Sequence, residues 1–274
     1  MRQISSLTNP AIKALRGLHE RKHRRRSGLF LAEGVRIVTE ALEQGWSPQT
    51  LVLVEGREEE PHIRRLLEQA EAAGADCLAV SEAIMAKISR KDNPQMVLAS
   101  FMERWQTPED VFATPSGCWV VLDRVRDPGN LGTILRTADA VGASGVILVG
   151  DCVDAFSVES VRASMGAVFN VDLVRMAEDA FVTAAKDTSF NILGTALPAS
   201  VDYREAPWSA PLLLLMGNEQ AGLSPGMMAA ARQLVRMPML GRSDSLNLAV
   251  ATGLCLYEFL RAGDGPGAAP SGQK

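Results

Sequence analysis

The sequence predicts an α/β protein in two parts, a small α/β domain and then a larger one built on a parallel sheet. Three observations carry this prediction. Short apolar strand patterns alternate with helical patterns from Gly28 to Phe101. A polar stretch, 103–117, containing Pro108 and Pro115, then interrupts the alternation. Beyond it the apolar runs lengthen and lose their polar face, as strands do when helices cover both sides of a parallel sheet.

In chain order, 12–26 reads as one helix ending in the basic block Arg21, Lys22, His23, Arg24, Arg25 and Arg26. Such a block is either solvated surface or a grip on a phosphate backbone, and by themselves the residues leave the two readings equal. Strands follow at 50–54, 77–80 and 97–101, with helices at 61–73, closed by Gly74, and at 82–88. The second part places strands at 119–122, 145–149, 171–174, 192–196, 212–216 and 234–237. Sites in parallel sheets form at the carboxyl ends of the strands, so the segments after them matter most.

After Leu122 comes a loop with Arg124 and Arg126, a turn at Pro128-Gly129, and Asn130 as the expected cap of a helix that Gly142 ends. The buried stripe of that helix, Leu131, Ile134, Leu135, Ala138 and Val141, turns Arg136 outward. A solvated arginine is the plain reading; a ligand contact is the other. The segment 157–169 reads as a helix of small residues with Arg162 in its middle, a charge that calls for a carboxylate or a phosphate. After Met216, Gly217 and Gly222 allow a tight loop and close backbone approach to a ligand, and Glu219 stands at the sheet edge or simply in solvent. After Met237, Pro238 stops the strand, and a polar loop leads into an apolar helix running from Ser245-Leu246-Asn247 to about Arg261. Ser245 or Asp244 is its expected cap, and its nearly all-round apolar surface predicts burial. Ser245 and Asn247, held at its mouth, need polar partners.

With 274 residues, 47% hydrophobic and 22% charged, the chain has room for two domains. It shows no apolar run of membrane-spanning length, and Met1 to Pro10 lacks the apolar core of a signal peptide, so a cytoplasmic protein is expected. Cys77, Cys118, Cys152 and Cys255 are far apart and read as reduced core residues. The three histidines have no ligand spacing, so no metal is expected. A net charge of -4 means that any attraction to nucleic acid is local. Neither loop has the G-x-G-x-x-G or G-K-[ST] pattern, which argues against NAD or ATP.

Three loop segments together resemble the SpoU (SPOUT-class) RNA ribose 2'-O-methyltransferases: D-P-G-N-L-G-T-I-L-R-T-A, M-G-N-E-Q-A-G-L-S and P-M-L-G-R-S-D-S-L-N-L-A-V-A, in the right order and at strand ends. V-R-A-S-M-G-A also matches, and G-L-F-L-A-E-G-V-R-I-V-T-E-A-L is similar to the start of a ribosomal-protein-like substrate-binding domain. The resemblance covers nearly all of the chain except the first twenty or so residues and the tail from Gly263. It implies an RNA substrate-binding domain at 1–105 and a methyltransferase domain at 118–263 closed by a trefoil knot, while composition makes 106–117 a linker and the Gly/Ala/Pro-rich 264–274 a disordered tail. Connection rules alone would argue against a knot.

The resemblance further implies a homodimer that binds S-adenosylmethionine (AdoMet) against Thr195, Met216, Gly217, Met237 and Leu246. Asn130, Arg136, Glu219, Ser245 and Asn247 match the family's catalytic positions; Arg242 and Asp244 stand where the third motif often carries other residues. An arginine is a poor proton acceptor, so Arg136 is expected to stabilise the developing alkoxide, directly or through a phosphate, while Asn130 and Asn247 orient the ribose and Glu219 holds the arginine or the ribose. RNA contacts are expected from Arg21, Lys22, Arg24, Arg25, Arg26, Arg124, Arg126 and Arg162, with rRNA favoured over tRNA. A tRNA enzyme, a non-catalytic RNA-binding homologue, a base methyltransferase and an unrelated NAD enzyme are the competing readings.

Overall fold

The computed structural model describes residues 1–264. The expected disordered tail lies outside them, apart from Asp264. The strands are β1 (Arg2–Ile4), β2 (Leu29–Glu33), β3 (Pro48–Val54), β4 (Asp76–Val80), β5 (Val97–Met102), β6 (Cys118–Asp123), β7 (Gly145–Val149), β8 (Asp172–Met176), β9 (Asn191–Thr195), β10 (Val201–Asp202), β11 (Leu212–Met216) and β12 (Gln233–Arg236). The helices are α1 (Pro10–Gly17), α2 (Arg21–Ser27), α3 (Val35–Glu43), α4 (Pro61–Ala72), α5 (Glu82–Ser89), α6 (Pro108–Ala113), α7 (Pro128–Ala140), α8 (Val158–Ser164), α9 (Glu178–Lys186), α10 (Pro225–Ala230) and α11 (Leu248–Phe259). Contacts divide the described residues into two units, 1–103 with 154–170, and 104–153 with 171 onward.

The first unit carries a five-stranded sheet in the order β1-β4-β3-β5-β2, parallel among β1, β4 and β3 and antiparallel at β5. Ile12, Leu15 and Leu18 pack with Ile84, Met85 and Ile88 over the apolar face of this sheet. The expected single helix 12–26 is in fact two. Asn9 caps α1 by accepting from Ala11 N, the buried Leu18 follows it, and the basic block forms the separate α2, closed by Gly28 at φ 68°.

The inclusion of 154–170 in this unit departs from the division made at 106–117, and aromatic packing explains it. Phe156 and Phe169 lie 4.5 and 5.8 Å from Phe30, ring to ring, and Trp46 Nε1 donates to Phe169 O at 3.0 Å. The helix expected over 157–169 stops at Ser164, because Met165 (φ 53°) and Gly166 (φ 105°) turn left-handed before a short 3-10 segment. The stretch read as linker holds α6, which Thr107 caps and Val111 anchors in a core.

The second unit is a seven-stranded, wholly parallel sheet in the order β10-β12-β9-β11-β6-β7-β8. Every residue of β6, β7 and β11 is buried, as uninterrupted apolar runs require. Phe181, Phe190, Ile192, Leu213 and Val174 share one core cluster on this sheet. All four cysteines are free and buried, and burial pushes their thiols up, Cys77 and Cys152 to about 11 and Cys118 to about 12. The chain passes from β8, at one edge, across to β9, with β11 inserted later between β9 and β6, and a ligand site is expected at such a reversal of strand order.

Candidate functional site

A cavity of about 590 Å³ opens at the carboxyl ends of β9, β11 and β12, within the size range of small-molecule sites. Thr195, Met216, Gly217, Met237 and Leu246, the residues expected to hold a cofactor, all line it. Of those expected to act on the substrate, Asn130, Glu219, Ser245 and Asn247 line it as well. Arg136 does not: it is exposed on α7, outside the cavity wall.

The polar end of the cavity is one directed hydrogen-bond relay. Asn130 Nδ2 donates to Glu219 Oε1 at 3.0 Å, and Asn247 Nδ2 donates to Asn130 Oδ1 at 2.9 Å. Asn247 Oδ1 accepts from Ala249 N at 2.9 Å and Val250 N at 3.3 Å. A carboxylate only accepts, so Glu219 fixes which end of each amide faces which neighbour. Burial works to raise the Glu219 carboxyl, but hydrogen bonds from the Asn130 amide and from the N–H groups of Glu219 itself, Asp127 and Arg126 outweigh it and hold the group below its ordinary range. Three segments far apart in sequence are thereby linked, Asn247 through Asn130 to the Glu219 carboxylate.

Two capping expectations are corrected here. Asp127, one residue ahead of Pro128, caps α7 by accepting from Asn130 N at 2.6 Å, which frees the Asn130 side chain for the relay. Asn247, not Ser245 or Asp244, caps α11, and Ser245 Oγ meets Asp244 Oδ1 at 3.4 Å. The expectation of a fully buried α11 also fails. Cys255, Leu256 and Phe259 are buried, but Val250, Leu254 and Tyr257, with Leu246 just ahead of the helix, are exposed along one side.

Gly217 is confined by its own loop, since a Cβ there would lie 2.2 Å from Gly222 C and Leu223 N. The loop closes through Asn218 and Gly222, which exchange backbone hydrogen bonds at 3.0 and 2.9 Å. Asn218, Gln220, Arg236, Met239 and Asp244 also line the cavity and were missed from sequence. The adjacency of Asn218 to Gly217 in a tight loop was the available signal, because asparagine accepts from backbone N–H groups two residues on.

The expected RNA contacts divide. Arg24 is buried, its Nη2 2.7 Å from Asp154 Oδ2 and its Nη1 donating to Leu18 O at 2.7 Å, so it is a core cation and not a phosphate contact. Arg162 meets Glu33, which Lys91 also contacts. Arg124 folds back on Asp123, and Arg126 pairs with Asp151 at 2.7 Å. Arg21, Lys22, Arg25 and Arg26 are exposed on α2, Lys22 within 3.2 Å of Glu20. Among the described residues no group of His, Cys, Asp and Glu is arranged to hold a metal, and no helix is long and apolar enough to cross a membrane.

Comparison with known proteins identifies the family of both parts of the chain. Residues 117–257 match the model of the SpoU rRNA methylase family, and residues 9–99 match the MRM3-like substrate-binding domain. The chain is 32% identical over 259 residues, 94% of its own length and 99% of the relative's, to the 23S rRNA (guanosine(2553)-2'-O)-methyltransferase RlmP of Bacillus subtilis. It superposes on the AdoMet-bound rRNA methyltransferase of Sinorhizobium meliloti with a TM-score of 0.88 at 45% identity, covering 95% of this chain and 97% of that one. On the AdoMet complex of the SpoU methyltransferase AviRb from Streptomyces viridochromogenes the TM-score is 0.82 at 32% identity, covering 93% and 98%.

Proposed function

The chain belongs to the SpoU rRNA methylase family, and we propose that the cavity of its second unit is where a ribose 2'-hydroxyl of 23S-type ribosomal RNA is methylated. The protein is an AdoMet-dependent RNA ribose 2'-O-methyltransferase. The observation that carries the assignment to this cavity is the Glu219-Asn130-Asn247 relay, three family motifs joined by two hydrogen bonds at one end of it.

The cavity suits AdoMet. Met216, Val235, Leu248 and Ala251 give an apolar wall, Gly217 offers bare backbone, and Glu219 and Asp244 supply negative charge for a sulfonium. When bound, the cofactor supplies a methyl group on a positively charged sulfur. Asn130 and Asn247, locked in one orientation, would orient the ribose toward the donor held by the cavity. Glu219 stays ionised and keeps the two amides in register. The Arg136 guanidinium, on the exposed side of α7, would stabilise negative charge developing on the 2'-oxygen as its proton passes to water, directly or through an RNA phosphate. Ser245 sits at the mouth beside Asp244 and contacts the ribose.

A homodimer is part of this reading. The exposed Leu246, Val250, Leu254 and Tyr257 form an apolar side of α11 that a second copy would cover, and because Leu246 also lines the cavity, the site would then lie beside that interface. The segment after β12 is taken to be threaded as the family's trefoil knot, with α11 closing against α7 and β11. The exposed cations of α2 supply phosphate contacts.

Mapping alkali-resistant positions in RNA from cells with and without the gene tests the proposal. One ribose-methylated position in large-subunit rRNA should vanish on deletion and return on complementation. Loss of a tRNA methylation instead would move the substrate to tRNA, and a lost methyl group that never protected its phosphodiester would make this a base methyltransferase.

A further inference from the structure

Asp123 and Arg124, at the end of β6, are fastened in a way that the surface cations are not. Asp123 is fully buried; its Oδ1 accepts from Arg124 Nε at 2.7 Å, and its Oδ2 accepts from Arg124 Nη2 at 3.0 Å and from the backbone N–H of Ser224 at 2.7 Å. Arg124 has φ 53°, a left-handed conformation that a non-glycine residue holds only under constraint. Its carbonyl accepts from Asn218 Nδ2 at 2.8 Å. Asn218 Oδ1 in turn accepts from Gln220 N at 3.0 Å and Ala221 N at 3.1 Å. Two consecutive residues therefore fasten both ends of the segment 217–224: the near end through the Arg124 carbonyl, the far end through the Asp123 carboxylate. Glu219 lies between the two fastenings.

We propose that Asp123 and Arg124 are positioning residues for the methyl transfer, a staple that sets Glu219 against Asn130, and that Arg124 serves this staple instead of an RNA phosphate. The inference rests on the activity proposed above. A guanidinium gripped by both oxygens of a buried carboxylate leaves a phosphate to compete with a partner that cannot be left unpaired. A glutamine at 124 keeps the backbone carbonyl but removes the fork that orients the Asp123 carboxylate toward Ser224 N and the Nη2 contact to Gly222 O at 3.5 Å, so the far end of the loop would loosen and Glu219 would shift with it.

The test compares the full-length wild type with Arg124→Gln, Arg124→Lys and the double variant Asp123→Asn/Arg124→Gln, which removes both charges so that no buried carboxylate is stranded. Thermal melting reports whether each is folded. At saturating RNA we expect kcat to fall at least about tenfold in all three, since lysine cannot reproduce the two-pronged grip. KM for RNA and the slope of log affinity against log salt should stay at their wild-type values. Wild-type kcat in the double variant, or a salt slope reduced by about one in Arg124→Gln, would overturn the proposal and make Arg124 an RNA contact. A wild type that methylates no RNA would instead defeat the activity reading, so the two failures are distinguishable.

Discussion

The first unit and the cavity of the second treat their polar side chains in opposite ways. In the first unit, cations are closed on carboxylates: Arg24 on Asp154, and Lys91 and Arg162 together on Glu33, whose Oε1 is buried without a partner. At the cavity, amides and a carboxylate bond one another in a fixed direction, and their surroundings stay open to solvent. The first arrangement neutralises charge to hold segments together; the second leaves oriented groups ready for a ligand. A basic residue in a sequence announces a charge, and only the fold decides whether that charge is free to act.

The largest expected effect tests the holding side of this contrast. Arg24→Ala strands Asp154 and empties a buried site, and breaking a buried ion pair by removing one partner costs about 3–5 kcal/mol. Denaturant unfolding should show a loss of that size. A loss under about 1 kcal/mol would mean that Arg24 is a surface cation after all, and it would return to the RNA-binding set. Next comes the acting side. Arg136→Ala should lower turnover by about 10²- to 10³-fold, the usual range for losing one donor to a developing oxyanion, with cofactor affinity measured by calorimetry nearly unchanged because Arg136 is outside the cavity wall. Near-normal turnover would remove Arg136 from the chemistry.

The contrast also explains what the sequence could and could not disclose. The apolar runs of β6, β7 and β11 are buried from end to end, so their burial was legible in composition alone. The cavity residues were named from the resemblance of three loop motifs to a known family, and burial contributed only that these loops sit at strand ends, where loops can converge. Arg24 was not legible, because its partner Asp154 is 130 positions away and nothing local distinguishes it from Arg25 or Arg26. The caps were misplaced by two or three residues because Asp127, Asn130, Ser245 and Asn247 are all good capping types, and only the competing pull of Glu219 decides between Asp127 and Asn130. The all-round apolar pattern of α11 misled because an exposed apolar stripe has the same composition as a buried one.

A smaller effect is expected from the cations of α2 that the fold leaves exposed. Arg25→Gln combined with Arg26→Gln should weaken RNA binding and reduce the salt slope by one to about two, each neutralised phosphate contributing about 0.7–0.9 to it, while stability is unchanged. Filter binding at several salt concentrations would measure this. An unaltered slope would place α2 with the holding region, its charges serving solubility only.

The smallest effect, on stability, separates two roles that Asn247 performs at once. Its Oδ1 caps α11 and its Nδ2 donates to Asn130. Asn247→Asp preserves the cap, since aspartate is as good a capping residue and its charge suits a helix N-terminus, so unfolding free energy should change by less than about 0.5 kcal/mol. The donor is lost, however, and a carboxylate oxygen would face the Asn130 carbonyl, so turnover should fall well below that of the wild type. Asn247→Ala removes both roles and should also cost about 1 kcal/mol of stability. If Asn247→Asp kept full turnover, the relay would be no more than a helix cap seen from the cavity, and the cavity would differ from the first unit only in the kind of bonds that hold it together.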